Sequence, residues 1–386
     1  MAPPQLLLAA LANMTAWIMT LNVSTNYVPT PWTPRTPPYS IFLNGNLARV
    51  LLTSYRVFGD EGFREEGLLW CDALAANQTS IATSKGNAAG YWDTGYHDLY
   101  LADTGTAVVA LALGWHLAAD SPPRRAAYEG ALRRFALFVY EGCQDAPAGG
   151  AYGQGCPPAN ATGWVREDGG VGDGYYKKAL NLDAYTISTA NAGAAFFAHL
   201  YNVPMADRGV APAALEAAAQ RAVAWVVNTL RADGSIPYII SPPDPVSSKD
   251  VYQPISYCAE GFVSVDALFP SPATRAALAR LNATVAFLVA NQNADGSWGV
   301  KDSGDGERSP RALTLLQWWL ASFEPQGTPW RAVVAATMDR YVDFVLANWY
   351  GYGINGDTLT TGFTALAFAD LYCESQGLGW CSFAVA

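Results

Sequence analysis

Charge is what this sequence has least of. Only 15% of its 386 residues are Asp, Glu, Lys or Arg, and the chain holds three histidines. With 23 Lys and Arg against 33 Asp and Glu, the net charge of −10 excludes a surface for nucleic acid or an anionic membrane, because either needs clustered cations. Neither a Cys-x-x-Cys pair nor a Cys/His cluster is present, so no zinc site is expected, and the reading assigns no metal and no cofactor. No apolar run is long enough to span a membrane. Pro and Gly fall between helical segments and no low-complexity tract separates two compositions. A single domain over residues 1–386 is therefore expected, although the length alone would accommodate two.

What the chain does have is apolar and aromatic mass: 51% hydrophobic residues, with 13 Trp and 20 Tyr. It is laid out as a repeat. Short starts rich in small residues (at Asp103, Asp183, Cys258, Ser309 and Asp357) lead into apolar helices with aromatic ends. These ends carry Trp115-His116, Phe196-Phe197, Phe269, Trp318-Trp319 and Phe368, and a weaker unit runs from Tyr39 to Phe58. Alanine-rich amphipathic helices alternate with them. In one, Leu215, Ala218, Ala219, Ala222, Val223, Val226 and Leu230 form one stripe, with Glu216, Gln220 and Arg221 off it. Thr106–Leu113 and Ser188–Ala198 have no charged face, and a helix apolar on all sides is buried on all sides. Outer helices are expected near 4–21, 59–77, 122–141, 211–231, 270–292 and 329–349. Inner ones are expected near 39–58, 103–119, 184–202, 255–269, 309–323 and 358–373. Six such hairpins predict an all-α ring that resembles the (α/α)6 toroid. His116 and His199 occupy equivalent late positions of inner helices and read as packing residues.

Residues 4–21 are read as the first outer helix, packed against the last inner one, with a signal peptide ending near Ala12 as the alternative. Cys143/Cys156 and Cys373/Cys381 each flank a short loop and are expected as local disulfides; Cys71 and Cys258 either pair or remain thiols. Asn-x-Ser/Thr sequons stand at Asn13, Asn22, Asn77, Asn160 and Asn282. Together these point to the secretory route, and to a monomer.

Inner-to-outer turns are short, whereas outer-to-inner connections are long and loaded with Gly, Trp, Tyr and carboxylates. The chemistry should therefore gather on one face, over the N-termini of the inner helices. Two loops are densest. One runs from Tyr91 to Gly105 and holds Trp92, Asp93, Tyr96, His97, Asp98 and Asp103. The other runs from Trp164 to Tyr185 and holds Tyr175, Tyr176 and Asp183. Carboxylates offered by neighbouring hairpins suit acid/base work across a glycosidic bond, and flat rings suit sugar faces. Asp98 and Asp183 are accordingly the candidate catalytic pair. Trp92, Tyr96, His97, Tyr176, Tyr185, Trp298 and Arg308 are the candidate substrate contacts. Asp103 and Asp357, at helix starts, read as ordinary N-caps.

Two resemblances extend this reading. Asn291-Gln-Asn-Ala-Asp-Gly-Ser-Trp-Gly, with a reduced copy at Arg231-Ala-Asp-Gly-Ser, resembles the QW-type repeat of squalene-cyclase and related terpenoid-cyclase families. There the motif ties an outer helix to the next loop, and the Asp-rich motifs of cyclase chemistry are missing here. Tyr96-His-Asp98-Leu-Tyr and Asn181-Leu-Asp183-Ala-Tyr185 resemble stretches of the six-hairpin glycosidases, especially the unsaturated-uronyl hydrolases. That likeness implies Asp183 as general acid/base and Asp98 as its supporting carboxylate. The expected function is a secreted glycoside hydrolase acting on an oligo- or polysaccharide. A polysaccharide lyase or uronate epimerase using cations such as Arg166 or Arg308, a non-catalytic glycan-binding toroid and a terpenoid cyclase are the alternatives.

Overall fold

The structure, a computed structural model, describes residues 3–21, 41–83, 85–92, 99–142, 163–176, 179–238, 252–299, 309–348 and 358–383. Helices alternate between two layers. The outer layer comprises α1 (Pro4–Ile18), α3 (Glu61–Ala76), α5 (Pro122–Glu141), α8 (Pro212–Asn228), the pair α10 (Pro272–Ala279) and α11 (Asn282–Ala290), and α13 (Pro329–Ala347). Proline occupies the first turn of α1, α5, α8, α10 and α13, where its missing N–H has no partner to lose. The inner layer comprises α2 (Ile41–Phe58), α4 (Leu101–Leu117), the run α6 (Thr186–Ser188), a π-helical turn (Thr189–Ala195) and α7 (Phe196–Asn202), then α9 (Tyr252–Leu268), α12 (Ala312–Ser322) and α14 (Thr358–Ser375). The sequence-based boundaries hold to within a few residues. One outer helix, expected to be continuous, breaks at Arg280–Leu281, where tighter bonds from Leu281 N to Leu278 O and from Ala283 N to Arg280 O replace the regular ladder.

The inner helices touch their neighbours all the way round. A Cβ added to Gly45 would lie 2.7 Å from the Ala107 Cα, one on Gly105 3.0 Å from Asn191 backbone, and one on Gly261 2.9 Å from the Ala190 carbonyl oxygen. These glycines let inner helices one to four pack backbone to backbone. Helices α9, α12 and α14 continue the series, and α14 returns to α2 with Gly362 facing Asn46. As expected, α1 covers that seam. It packs on α14 and α2, buries Leu7, Leu11, Met14 and Ile18, and joins its Thr15 hydroxyl to that of Ser54 at 2.7 Å. The six hairpins form a closed toroid.

The outer layer is laced by a repeated tie. Trp298 stacks on Tyr341 at 4.7 Å and donates its indole N–H to the Leu288 carbonyl at 2.8 Å, while Gln292 bonds the Thr337 carbonyl and Arg340 bonds Gln292. Gly296, at φ +93°, sits so close to α13 that a Cβ would come within 2.2 Å of the Arg340 carbonyl oxygen. Trp92 repeats the arrangement three hairpins earlier. Its indole bonds the Leu74 carbonyl at 2.8 Å, Gln78 bonds the Ala131 carbonyl, and Arg134 bonds Gln78. The second copy is invisible as a motif because a hairpin, β1 (Thr79–Ala82) with β2 (Ala88–Tyr91), separates its Gln from its Trp. Both indoles are fully buried. Trp92 and Trp298, expected as substrate contacts, are instead the bolts between successive outer helices, since a ring already packed on both faces offers none to a sugar.

At the C-terminal ends of the inner helices the chain itself fills the hole. Cys381, Ser382 and Phe383 are buried there, held by the Cys373–Cys381 disulfide expected from the sequence. Arg49 bonds Glu260 at 2.8 Å and the Ser382 carbonyl at 3.0 Å, and Arg311 bonds Asp370 at 2.8 Å. Asp370 also accepts the N–H and hydroxyl of Ser382, Arg56 bonds the carbonyls of Cys381 and Phe383, and His199 lies between Phe383 and Glu260. His199 is thus the packing residue it was expected to be. Cys71 and Cys258 are buried free thiols, and Cys143 and Cys156 lie outside the described residues.

Candidate active site

The opposite end of the ring is built differently. Three short strands cross it: β3 (Leu99–Tyr100), β4 (Gly172–Tyr176) and β5 (Ala179–Ala184), antiparallel in the order β3-β4-β5. Gly174 must be glycine, because at φ +140° a Cβ there would stand 1.9 Å from the Leu99 carbonyl oxygen. Between β4 and β5 the register slips: Gly174 faces Asn181 but Gly172 faces Ala184, so Asp173 stands opposite both Leu182 and Asp183. A bulge of this kind re-aims side chains and recurs beside active sites. Asp173 is 8% exposed and accepts the Ser188 hydroxyl at 3.4 Å.

Asp103 projects from the first turn of α4, immediately after β3. The residue at the cap position of α4 is Tyr100, so Asp103 is not the N-cap the sequence suggested. Burial, and then the charge of Asp173, raises its carboxyl to about 7; burial raises Asp173 to about 6, against the opposing pull of Ser188. Among the described residues this pair has no cation of its own. Two carboxyls poised near neutrality, on adjoining hairpins, can hold and move a proton between pH 6 and 7.

Beside them lies a small apolar floor detached from the main core. Ala102, Ile187, Tyr257 and Phe363, from four different inner helices, meet near the helix N-termini, with Tyr185 and Tyr238 half-buried against them. The Tyr257 and Phe363 rings meet edge to face at 5.5 Å, and those of Tyr185 and Tyr238 at 6.1 Å. Such a mixture of rings and carboxyls is what a sugar-binding cleft requires.

Of the residues expected to act, Asp183 lies half-buried on β5, across the ladder from Asp173, and Tyr185 borders the aromatic floor. Tyr176 falls on β4. Tyr96, His97, Asp98 and Arg308 lie outside the described residues. Arg166, considered as a cation for a uronate, is bound to Asp168 at 2.9 Å in an exposed turn. Sequence reasoning missed Asp103 and Asp173. The available signal for Asp103 was a lone carboxylate in an otherwise uncharged inner helix, and for Asp173 the Gly172-Asp-Gly174 context of a bulge.

No family model and no curated relative matches the chain. Solved structures do. An Asp-to-Asn variant of a protein titled UGL, with the ligand dGlcA-Glc-Rha-Glc, superposes with a TM-score of 0.62 at 12% identity over 98% of both chains. An inactive variant of the α-1,6-mannanase GH76A of Salegentibacter sp., substituted at two aspartates and bound to α-1,6-mannotetrose, gives 0.60 at 12% identity over 94% of this chain and 97% of the mannanase. A polysaccharide lyase gives 0.57 at 12% identity over 95% and 99%. At such identities the likeness establishes the fold alone, an (α/α)6 toroid.

Proposed function

We propose that the protein is a carbohydrate-active enzyme, a glycoside hydrolase whose acid/base pair is Asp103 and Asp173, with Asp183 beside them. The observation that carries this reading is the two carboxyls raised to about 7 and about 6 at the strand-crossed end of the toroid, with no cation beside them among the described residues. Hydrolysis of a glycosidic bond needs one carboxyl to protonate the departing oxygen and another to take the proton of the attacking water. The aromatic floor with Tyr185 and Tyr238 supplies faces for a sugar ring. The oligosaccharides held by two neighbouring folds support an oligo- or polysaccharide as the partner. Asp98, Tyr96, His97, Tyr176 and Arg308 remain proposed contributors. Export as a monomer is part of the same reading, supported by the Cys373–Cys381 disulfide and by the exposed sequon residues Asn13, Asn77 and Asn282.

The test is a panel of oligosaccharides that includes α-1,6-mannotetrose and chains ending in dGlcA, followed by product mass and ultraviolet absorbance. Products heavier by one water than the parts of the substrate, with no new absorbance, fit the proposal. A new conjugated double bond identifies a lyase, and binding without turnover identifies a glycan-binding toroid.

A further inference from the structure

The third inner helix is the only one among the described residues to contain a π-helical turn, and that turn joins the two elements that carry the acids. Immediately before it, Ser188 donates to Asp173 on β4. Its first residue, Thr189, accepts the N–H of Val171 at 2.9 Å, fixing the chain that leads into β4. Its third, Asn191, donates from Nδ2 to the carbonyl of Ala102 at 3.2 Å, one residue before Asp103. Gly105 of the same first turn packs so tightly on Asn191 that a Cβ would fall 3.0 Å from its backbone. Ser188, Thr189 and Asn191 are all buried. A π-turn costs hydrogen-bond geometry and tends to persist where it positions something.

We infer that this turn is the positioning device of the site: among the described residues Ser188 gives Asp173 a donor and none reaches Asp103, so Asp173 works as the ionised base and Asp103 as the proton-bearing acid, while Asn191 sets their spacing. The inference rests on the hydrolase reading and assigns roles within it. Asp103 gives its proton to the glycosidic oxygen as the bond from that oxygen to the anomeric carbon breaks. Water attacks the anomeric carbon and loses its proton to Asp173. Asp173 then releases that proton to solvent and Asp103 takes one up. The charged groups facing Asp173 are Asp103 from α4 and Asp183 across the ladder; Ser188 is the hydroxyl among them. Removing a donor from the charged form of Asp173 must therefore favour its protonated form.

The experiment is a carboxyl-carbon titration of the full chain labelled at Asp Cγ, comparing the parent with Ser188→Ala, Ser188→Thr and Ser188→Cys. The Asp173 midpoint is expected to rise by roughly half a unit or more in Ser188→Ala. Ser188→Thr should return it to the parent value, and Ser188→Cys, a weaker donor, should fall between them. The Asp103 midpoint should move less. Asn191→Ala should leave the Asp173 midpoint in place and lower kcat on whichever panel oligosaccharide the parent cleaves. An unmoved Asp173 midpoint in Ser188→Ala and Ser188→Cys overturns the inference and leaves the hydrolase reading standing. Full turnover by Asp173→Asn removes both.

Discussion

The two ends of this toroid surround their carboxyls with different partners, and Glu260 at one end shifts in the opposite direction to Asp103 and Asp173 at the other. At the end closed by residues 381–383, Glu260 is buried, which alone would raise its carboxyl, yet Arg49, His199 and Arg311 hold it well below the usual range. Asp370 there is raised by burial, against the pull of Arg311 and both donors of Ser382. At the strand-crossed end burial raises both Asp103 and Asp173, the charge of Asp173 adds to the rise of Asp103, and no arginine faces them among the described residues. One end spends its charges on cohesion, and the other keeps its carboxyls near neutrality.

The largest effect on stability should come from the closed end. Glu260→Leu strands the guanidinium of Arg49 in the barrel and should lower unfolding free energy by about 3–5 kcal/mol in denaturant titration. Asp103→Asn at the same ionic strength and pH 4 should change it little. Equal losses for the two variants would erase the contrast between the ends.

Opening the disulfide comes next. Cys373→Ser with Cys381→Ser frees a loop of sequence separation 8, for which chain entropy gives about 2–3 kcal/mol. If the closing segment matters only at its own end, thermal stability falls while the Asp103 and Asp173 titrations stay where they are.

The pH dependence of stability sharpens the comparison further, because Glu260 and the Asp103–Asp173 pair have opposite signs. A depressed Glu260 contributes stability that is present above its unfolded value and lost as pH falls through its folded one. The raised Asp103 and Asp173 contribute stability that is complete below about pH 4 and lost as pH rises through about 6 and 7. Asp103→Asn should therefore match the parent near pH 4 and exceed it by up to about 4 kcal/mol at pH 8, as chemical denaturation at the two pH values would show. A gain of the same size at both would mean that the Asp103 carboxyl is not perturbed.

Much of the fold was legible because helical periodicity is written locally. The stripe from Leu215 to Leu230 and the uncharged run from Thr106 to Leu113 separated outer from inner layers without any tertiary knowledge. The site was less so, for two physical reasons. A carboxylate in the first turn of a helix looks the same in sequence whether it caps the helix or, like Asp103, sits buried beside a second carboxyl. A tryptophan in a Gly-rich loop looks the same whether it stacks on sugar or, like Trp92 and Trp298, bolts two helices together. In the second case half the motif was visible at Gln292–Trp298, and a hairpin hid the other half between Gln78 and Trp92. The smallest predicted effect concerns these bolts. Trp92→Phe and Trp298→Phe each lose one indole bond and should cost about 1 kcal/mol in stability, with oligosaccharide affinity unchanged. A selective loss of affinity would return these residues to the site.

The most direct test of the central claim is turnover and binding measured side by side for the parent, Asp103→Asn and Asp173→Asn on an oligosaccharide the parent cleaves. Asn keeps the size of Asp but carries no exchangeable acid proton, so each variant should lose turnover by about 10²–10⁴-fold while holding the sugar as the parent does. Parental turnover in either variant would contradict the assignment of this cation-free pair as the reaction centre.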